Sequence, residues 1–307
     1  MAISENSSLS VSRQREASGS SDSFRENAYE SSPLPLTPVI KIRAAKRWTP
    51  IGLGEIWAHR ELLYFLVWRD LKVRYKQTLL GVSWIVLQPI LMTLVFAVFL
   101  GKIARVPSDS VPYVLFLYAG LLPWTFFTNA VATSSHSLIA SAEMITKVYF
   151  PRALVPLAAV LVRLSDFVVA SVVLVVLMLY YGRPFTRAIL LAPFLILHLT
   201  LLALGLGLLF AALNVKYRDI GTVLPVLLQL WLFASPVIYP ASLVPPNWQW
   251  VYALNPLTGI IGGFRAAFLD LGFDWRSLLV SFAITIVLLV YASFVFRRME
   301  DEFADVV

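Results

Sequence analysis

The sequence predicts an all-α membrane protein. Of its 307 residues, 59% are hydrophobic and only 14% are charged, too little polar surface to cover a soluble core of this size. Apolar runs recur at 79–101, 113–134, 153–181, 188–213, 220–240 and 277–296. Each is near the roughly 20 residues a helix needs to cross a ~30 Å hydrocarbon core. Helices are required because lone strands leave their backbone groups unsatisfied in lipid.

The elements follow in order. Residues 1 to 32 hold eleven serines and few large apolar groups, a composition that predicts disorder. Together with the Pro-punctuated basic stretch after it, this start forms a cytoplasmic tail over 1–54. An interface helix at 55–78 and a six-helix transmembrane domain at 79–300 complete the organisation. No apolar h-region follows Met1, so the start is not a signal peptide.

Set on a helix, Tyr64, Val67, Trp68, Leu71 and Tyr75 fall in one arc. Arg69, Asp70, Lys72, Arg74, Lys76 and Gln77 fall in the remainder, with only Val73 out of place. Such a helix lies in the head-group layer, rings among acyl chains and cations near phosphates; these charges also set topology. Fifteen Lys and Arg fall on one side of the six spans (Lys41 to Lys76, then Lys147, Arg152, Lys216, Arg218, Arg297 and Arg298). Six fall on the other: Lys102, Arg105, Arg183, Arg187, Arg265 and Arg276. The positive-inside rule places both termini in the cytoplasm.

Pro89 and Pro123 predict kinks or breaks in spans one and two. Between spans two and three, Ser141 precedes a short helix with Glu143 early and Lys147 late, the order a helix dipole favours. Between spans five and six, 241–276 holds an apolar stretch of about 14 residues, too short to cross. It reads as a pair of short re-entrant outer helices or as a surface loop carrying an amphipathic helix. Trp248, Trp250 and Tyr252 precede it at head-group depth.

The chain has no Cys, which excludes thiol chemistry. His59, His136 and His198 are far apart, so no metal site is predicted. No paired carboxylates or His–acid constellation occur in the loops; Asp270 and Asp274 read as helix-end solvation. A membrane enzyme is therefore disfavoured. An ion-gradient transporter would need midplane acids and internal repeats, and only Asp166 qualifies. Arg163 and Asp166, at i and i+3 in span three, read as a structural pair. His198 reads as a buried, hydrogen-bonded residue.

The stretch "RELLYFLVWRDLKVRYKQTLLGVSWIVLQP" (Arg60 to Pro89) resembles the opening of the transmembrane subunit of ABC-2-type polysaccharide exporters, which move O-antigen, capsule or teichoic acid chains. "KVYFPRALVPL" (Lys147 to Leu157), "NVKYRDI" (Asn214 to Ile220) and "SPVIYP" (Ser235 to Pro240) resemble the same family in order and spacing. The resemblance covers about 55–300. It implies a homodimer in the cytoplasmic (inner) membrane with two ATP-hydrolysing subunits beneath it. It also implies a lateral lipid gate beside Trp57 to Gln77. No GxxxxGK[ST] occurs, so the chain has no phosphate-cradling loop of its own; the resemblance implies that ATP and Mg sit on the partner and that this chain binds no cofactor.

On that resemblance the helix after Ser141 couples to the ATPase through Glu143, Met144, Ile145, Lys147, Val148, Tyr149 and Phe150. The bland alternative is a plain connector with its apolar residues on the membrane. The implied cargo is a glycan on a lipid diphosphate. Arg69, Arg74 and Lys76 are the candidate pyrophosphate cations, the arginines foremost for their bidentate fork. Candidate channel rings are Trp84, Phe96, Phe99, Tyr118, Trp124, Trp231, Phe233 and Tyr239. A lipid or drug cargo is the closest alternative, since architecture does not name the substrate.

Overall fold

The computed structural model describes residues 52–76, 83–108, 111–300 and 303. The serine-rich tail, residues 77 and 78 of the interface helix and the first residues of span one lie outside the described residues.

Among the described residues every regular element is helical. Short α1 (Leu53–Ala58) and α2 (Arg60–Lys76) come first. The first long apolar helix, α3 (Ser83–Phe96), runs on as π-helix over Ala97–Ile103. Then come α4 (Tyr113–Ala140), the short α5 (Ala142–Lys147) and α6 (Leu154–Tyr180). A 3-10 turn, Arg187–Leu191, leads into α7 (Ala192–Lys216), followed by α8 (Ile220–Phe233). Short turns precede α9 (Gln249–Ala253) and α10 (Pro256–Leu269), and α11 (Trp275–Glu300) ends the bundle.

Five of these helices are long and apolar enough to cross a membrane: Ser83–Ile103, Tyr113–Ala140, Leu154–Tyr180, Arg187–Lys216 and Trp275–Glu300. The fifth apolar run in the sequence, 220–240, divides. Its helix α8 has 14 residues, which rise only about 21 Å. The rest, Ala234 to Pro240, is irregular because Pro236 and Pro240 cannot donate to a helix ladder. Pro89 and Pro123 behave differently: α3 and α4 continue through both.

Helix α4 is the centre of the bundle. It packs against α3, α6, α7, α8 and α10. Phe116, Tyr118, Phe127, Ala130 and Val131 on it are fully shielded. Small residues let other helices close on each other. At Gly205 the α11 backbone at Leu289 passes within 3.2 Å of where a Cβ would stand. At Gly259 a Cβ would overlap the Ser277 carbonyl, so α10 lies directly on the start of α11.

The two ends of the bundle differ. At one, Tyr113 at the start of α4 donates to the Ile238 carbonyl (3.0 Å). There too Trp231 near the end of α8 donates to Asn255 Oδ1 (3.1 Å), and Ser281 in α11 donates to the Pro256 carbonyl. At the other, Leu66, Leu138, Ile145, Phe150, Leu154, Val215 and Phe296 form a second apolar cluster, which joins α2, α5 and α6 to the ends of α4, α7 and α11. Gly221, at the start of α8, abuts His136, near the end of α4. Helix α8 and its irregular continuation thus run from the second end to the first. Lys147, Arg152, Lys216 and Arg297 lie with the second end, and Arg187, Arg265 and Arg276 with the first.

Candidate functional site

Helix α2 lies against α6. Its most buried residue is Leu66, which the arc of Tyr64, Val67, Trp68, Leu71 and Tyr75 omits. Tyr64 is 70% exposed and Trp68 48%. Tyr64 and Trp68 therefore face outward, while Val67 packs on the second cluster beside Leu62, Leu63 and Leu66, and Tyr75 turns toward α6. This corrects the simple two-arc reading: a helix laid on a bundle must also bury an apolar stripe against protein. Two rings on the outward side carry cations, Arg60 over Trp57 (5.7 Å) and Lys72 over Trp68 (5.1 Å).

The last turn of α2 brings charge to α6. Arg74 Nη1 is 2.7 Å from Asp166 Oδ2, and the Tyr75 hydroxyl donates to Asp166 Oδ1 at 2.9 Å. Arg163 Nη1 reaches the same Oδ2 at 3.4 Å, and its Nε donates to Thr133 on α4 (2.9 Å). The expected Arg163–Asp166 pair exists, but the shorter bond goes to Arg74. Burial, then the hydrogen bond to Asp166, hold the Tyr75 hydroxyl above its ordinary pKa, so it stays a donor.

These groups border a cavity of about 450 Å³. Trp84, Gln88 and Pro89 of α3, Thr125, Phe126 and Asn129 of α4, and Phe167 and Ala170 of α6 also line it. The wall is mostly apolar with a few convergent polar groups, the usual make-up of a small-molecule site.

The three expected pyrophosphate cations separate. Arg74 faces the cavity, paired with Asp166. Arg69 pairs with its neighbour Asp70 (2.8 Å) and reaches Met144 Sδ (3.8 Å). Lys76 is exposed.

The expected coupling set also divides. Glu143 and Lys147 are exposed and 3.6 Å apart. Val148 is 57% exposed and Tyr149 fully so, at the tip of the connection. Ile145 and Phe150 are buried in the second cluster, with Met144 packed against it. Ile145 and Phe150 key the connection to the bundle and present no surface to a partner, which corrects their place in the contact set, while Met144 is half-buried. Beside them a clasp of charges closes that end. The Arg152 amide donates to Glu300 Oε1 (3.1 Å) and its guanidinium to the Glu300 carbonyl. Arg297 pairs with Glu300 (2.7 Å) and Glu55 (3.7 Å).

Of the candidate channel rings, Trp84 lines the cavity. Phe99 and Phe233 are exposed, and Phe96 packs on the main core. Trp231 and Tyr239 sit at the first end, where Tyr239 donates to the Phe233 carbonyl (2.8 Å). Two are corrected. Tyr118 is fully buried and donates to the Ala170 carbonyl (2.8 Å), tying α4 to α6. Trp124 is buried against Phe127. Both lie on a helix surrounded by protein on nearly every side, so neither lines an open path within this chain.

Two residues that matter at the first end escaped the sequence reading. Arg265 of α10, counted there only as a topology charge, is buried. It donates to the carbonyls of Pro236 (2.5 Å), Val237 (2.6 Å) and Phe116 (3.3 Å), and stacks on the Phe116 ring at 3.6 Å. The irregular backbone after α8 needs those donors, since no helix ladder satisfies its carbonyls. Asn255 caps α10 through the Leu257 amide (3.1 Å) and donates to the Ala234 carbonyl (3.0 Å). "NP" at a helix start was the available signal for the cap. Asp274 similarly caps α11, accepting from the amides of Arg276 and Ser277 (both 3.2 Å). His198 is buried, its Nε2 3.1 Å from the Thr285 hydroxyl.

A family model for ABC-2 type transporter membrane domains matches residues 61–269. An O-antigen export system permease protein, RfbA of Myxococcus xanthus, is 33% identical over 82% of this chain and 97% of its own length. RfbA of Klebsiella pneumoniae is 28% identical over 80% of this chain and 95% of its own. The polysialic acid transport protein KpsM of Escherichia coli is 25% identical over 65% and 78%. With its multiple apolar helices and a family match running from the interface helix through α10, the chain is a multi-pass membrane protein of the ABC-2 type transporter family.

Proposed function

We propose that the chain is the membrane subunit of an ATP-driven exporter that moves a polysaccharide built on a lipid diphosphate out of the cytoplasm. The observation that carries this reading is the near full-length similarity to permeases named for O-antigen export. The cavity beside the interface helix supports it, with a guanidinium at its mouth and apolar walls behind.

The bundle crosses the membrane six times with both termini cytoplasmic. Helix α8 and the strut to Pro240 make the fifth crossing, and α9 and α10 re-enter from the outer side. The contacts of α8 with His136 at one end and Asn255 at the other support that path. A cavity of about 450 Å³ suits a head group and is too small for a polymer. The polymer's path therefore lies between two copies of the chain. A hydrated or ring-lined path is needed because unpaired hydroxyls and phosphates cost several kcal/mol or more in hydrocarbon. Tyr149 and Val148, flanked by Glu143 and Lys147, contact a separate ATP-binding subunit, which holds ATP and Mg.

The test is deletion of the gene in its native cell, with complementation. Surface polysaccharide should vanish and lipid-linked polymer accumulate inside, restored by the chain only together with its ATPase. Normal surface carbohydrate in the deletion strain would overturn the reading.

A further inference from the structure

Two guanidinium groups reach the cavity, Arg74 and Arg163, and Asp166 is the one acid among the described residues that line it. The set therefore carries a net positive charge inside a largely apolar wall. Such a charge is costly unless a further anion joins it. Bonds among the described residues occupy Nη1 of Arg74 and Nε and Nη1 of Arg163. Each guanidinium has five N–H groups in a planar fork, which suits the oxygens of a phosphate. The contact of Arg163 with Asp166 is the longer of the two, 3.4 Å against 2.7 Å for Arg74. Behind the charges, Trp84, Ile85, Leu122, Phe126 and Phe167 form an apolar wall that suits a hydrocarbon stem.

We propose that Arg163 joins Arg74 in a binding site for the diphosphate of a polyprenyl lipid, and that Asp166 is its internal counter-ion. With no ligand, the carboxylate neutralises one guanidinium and, through Tyr75 and Arg74, ties α2 to α6. A diphosphate competes for the same N–H groups and displaces it. The assignment of the anion to a lipid rests on the export reading above; the pair of arginines around one acid does not.

The full chain, purified with its ATPase and without nucleotide, is placed in nanodiscs of uncharged lipid. A short-chain polyprenyl diphosphate is titrated, with the matching polyprenol and inorganic pyrophosphate as separate arms. The diphosphate lipid should bind at least about tenfold tighter than either fragment, since each supplies only half of the contacts. Arg163→Gln should weaken it about tenfold, the scale of one charge-assisted hydrogen bond, and Arg163→Lys should restore part of it. Asp166→Asn should bind several-fold tighter than the parent, because the competing anion is gone. A purely structural triad would give weaker binding in Asp166→Asn, and that result overturns the proposal. So does equal binding by the polyprenol; equal binding by pyrophosphate overturns the lipid source. Should Asp166→Asn fail to assemble, the Arg163→Gln and Arg163→Lys pair decides alone. Binding that follows this pattern in a protein whose deletion leaves surface glycan unchanged keeps the site and removes the export reading. Export without such binding does the reverse.

Discussion

Replacing Arg265 by Leu tests the account of the first end of the bundle. The side chain is 4% exposed and donates to three main-chain carbonyls, two of them at 2.5 and 2.6 Å. Hydrogen bonds from a charged group contribute about 1.5–3 kcal/mol each, so the two short ones amount to roughly 3–6 kcal/mol. Relief of guanidinium desolvation offsets part of this, leaving a net loss of about 2–4 kcal/mol. For a domain of this size each kcal/mol moves the midpoint by about 2–4 °C, so melting should fall by roughly 4–16 °C. Thermal unfolding of the purified protein in detergent, read by tryptophan fluorescence, measures it. Arg265→Lys should lie between parent and Leu, since one ammonium cannot span carbonyls that a fork spans. Arg276→Leu, which removes an exposed charge at the same end, is the control. A midpoint for Arg265→Leu within about 2 °C of the parent refutes the idea that these carbonyls depend on it.

Tyr149→Asp should leave the protein folded but separate ATP hydrolysis from export, measured as ATPase rate against surface polymer; Ile145→Asp should instead lower the amount of folded protein, because that side chain is buried. Arg74→Ala should reduce export more than Lys76→Ala, since Arg74 alone of the two borders the cavity; equal effects would remove Arg74 from the cargo's path. Asn255→Ala should cost about 1–2 kcal/mol as a lost cap and alter Trp231 fluorescence, because the indole N–H loses its acceptor. The Ser277 hydroxyl, ahead of the opposing effect of burial, holds the Asp274 carboxyl below its usual range. Its stabilising contribution is present above the unfolded value near about 3.9 and is lost as pH falls through the lower folded value. Acid unfolding curves of the parent and Asp274→Asn should therefore converge only at the acid end.

The crossing helices were readable because hydropathy over twenty residues outweighs local detail. The fifth apolar run was legible only in part: it is apolar throughout, yet Pro236 and Pro240 end its helix at Phe233. Prolines in the sequence do not announce which will break a helix, since Pro89 and Pro123 are carried within continuous ones. Ring roles failed for a related reason. When every face of a helix is apolar, as in α4, no period shows which side meets protein, so Tyr118 and Trp124 looked no different from exposed rings. The Arg163–Asp166 pair was legible at i and i+3; the stronger partner, Arg74, lies on another helix and no spacing rule reaches it. Arg265 stood in plain view as a cation in an apolar stretch, but its partners are carbonyls, which the sequence does not mark.

The short connection after α4 has a mechanical meaning. Its exposed tip at Tyr149 stands between two side chains, Ile145 and Phe150, sunk in one packed cluster with Leu66 of α2 and Phe296 of α11. Close-packed interiors compress little, so a push on the tip has no soft material in which to dissipate. On the coupling role proposed above, the connection would act as a short stiff lever whose stroke reaches α2 and α11 at once.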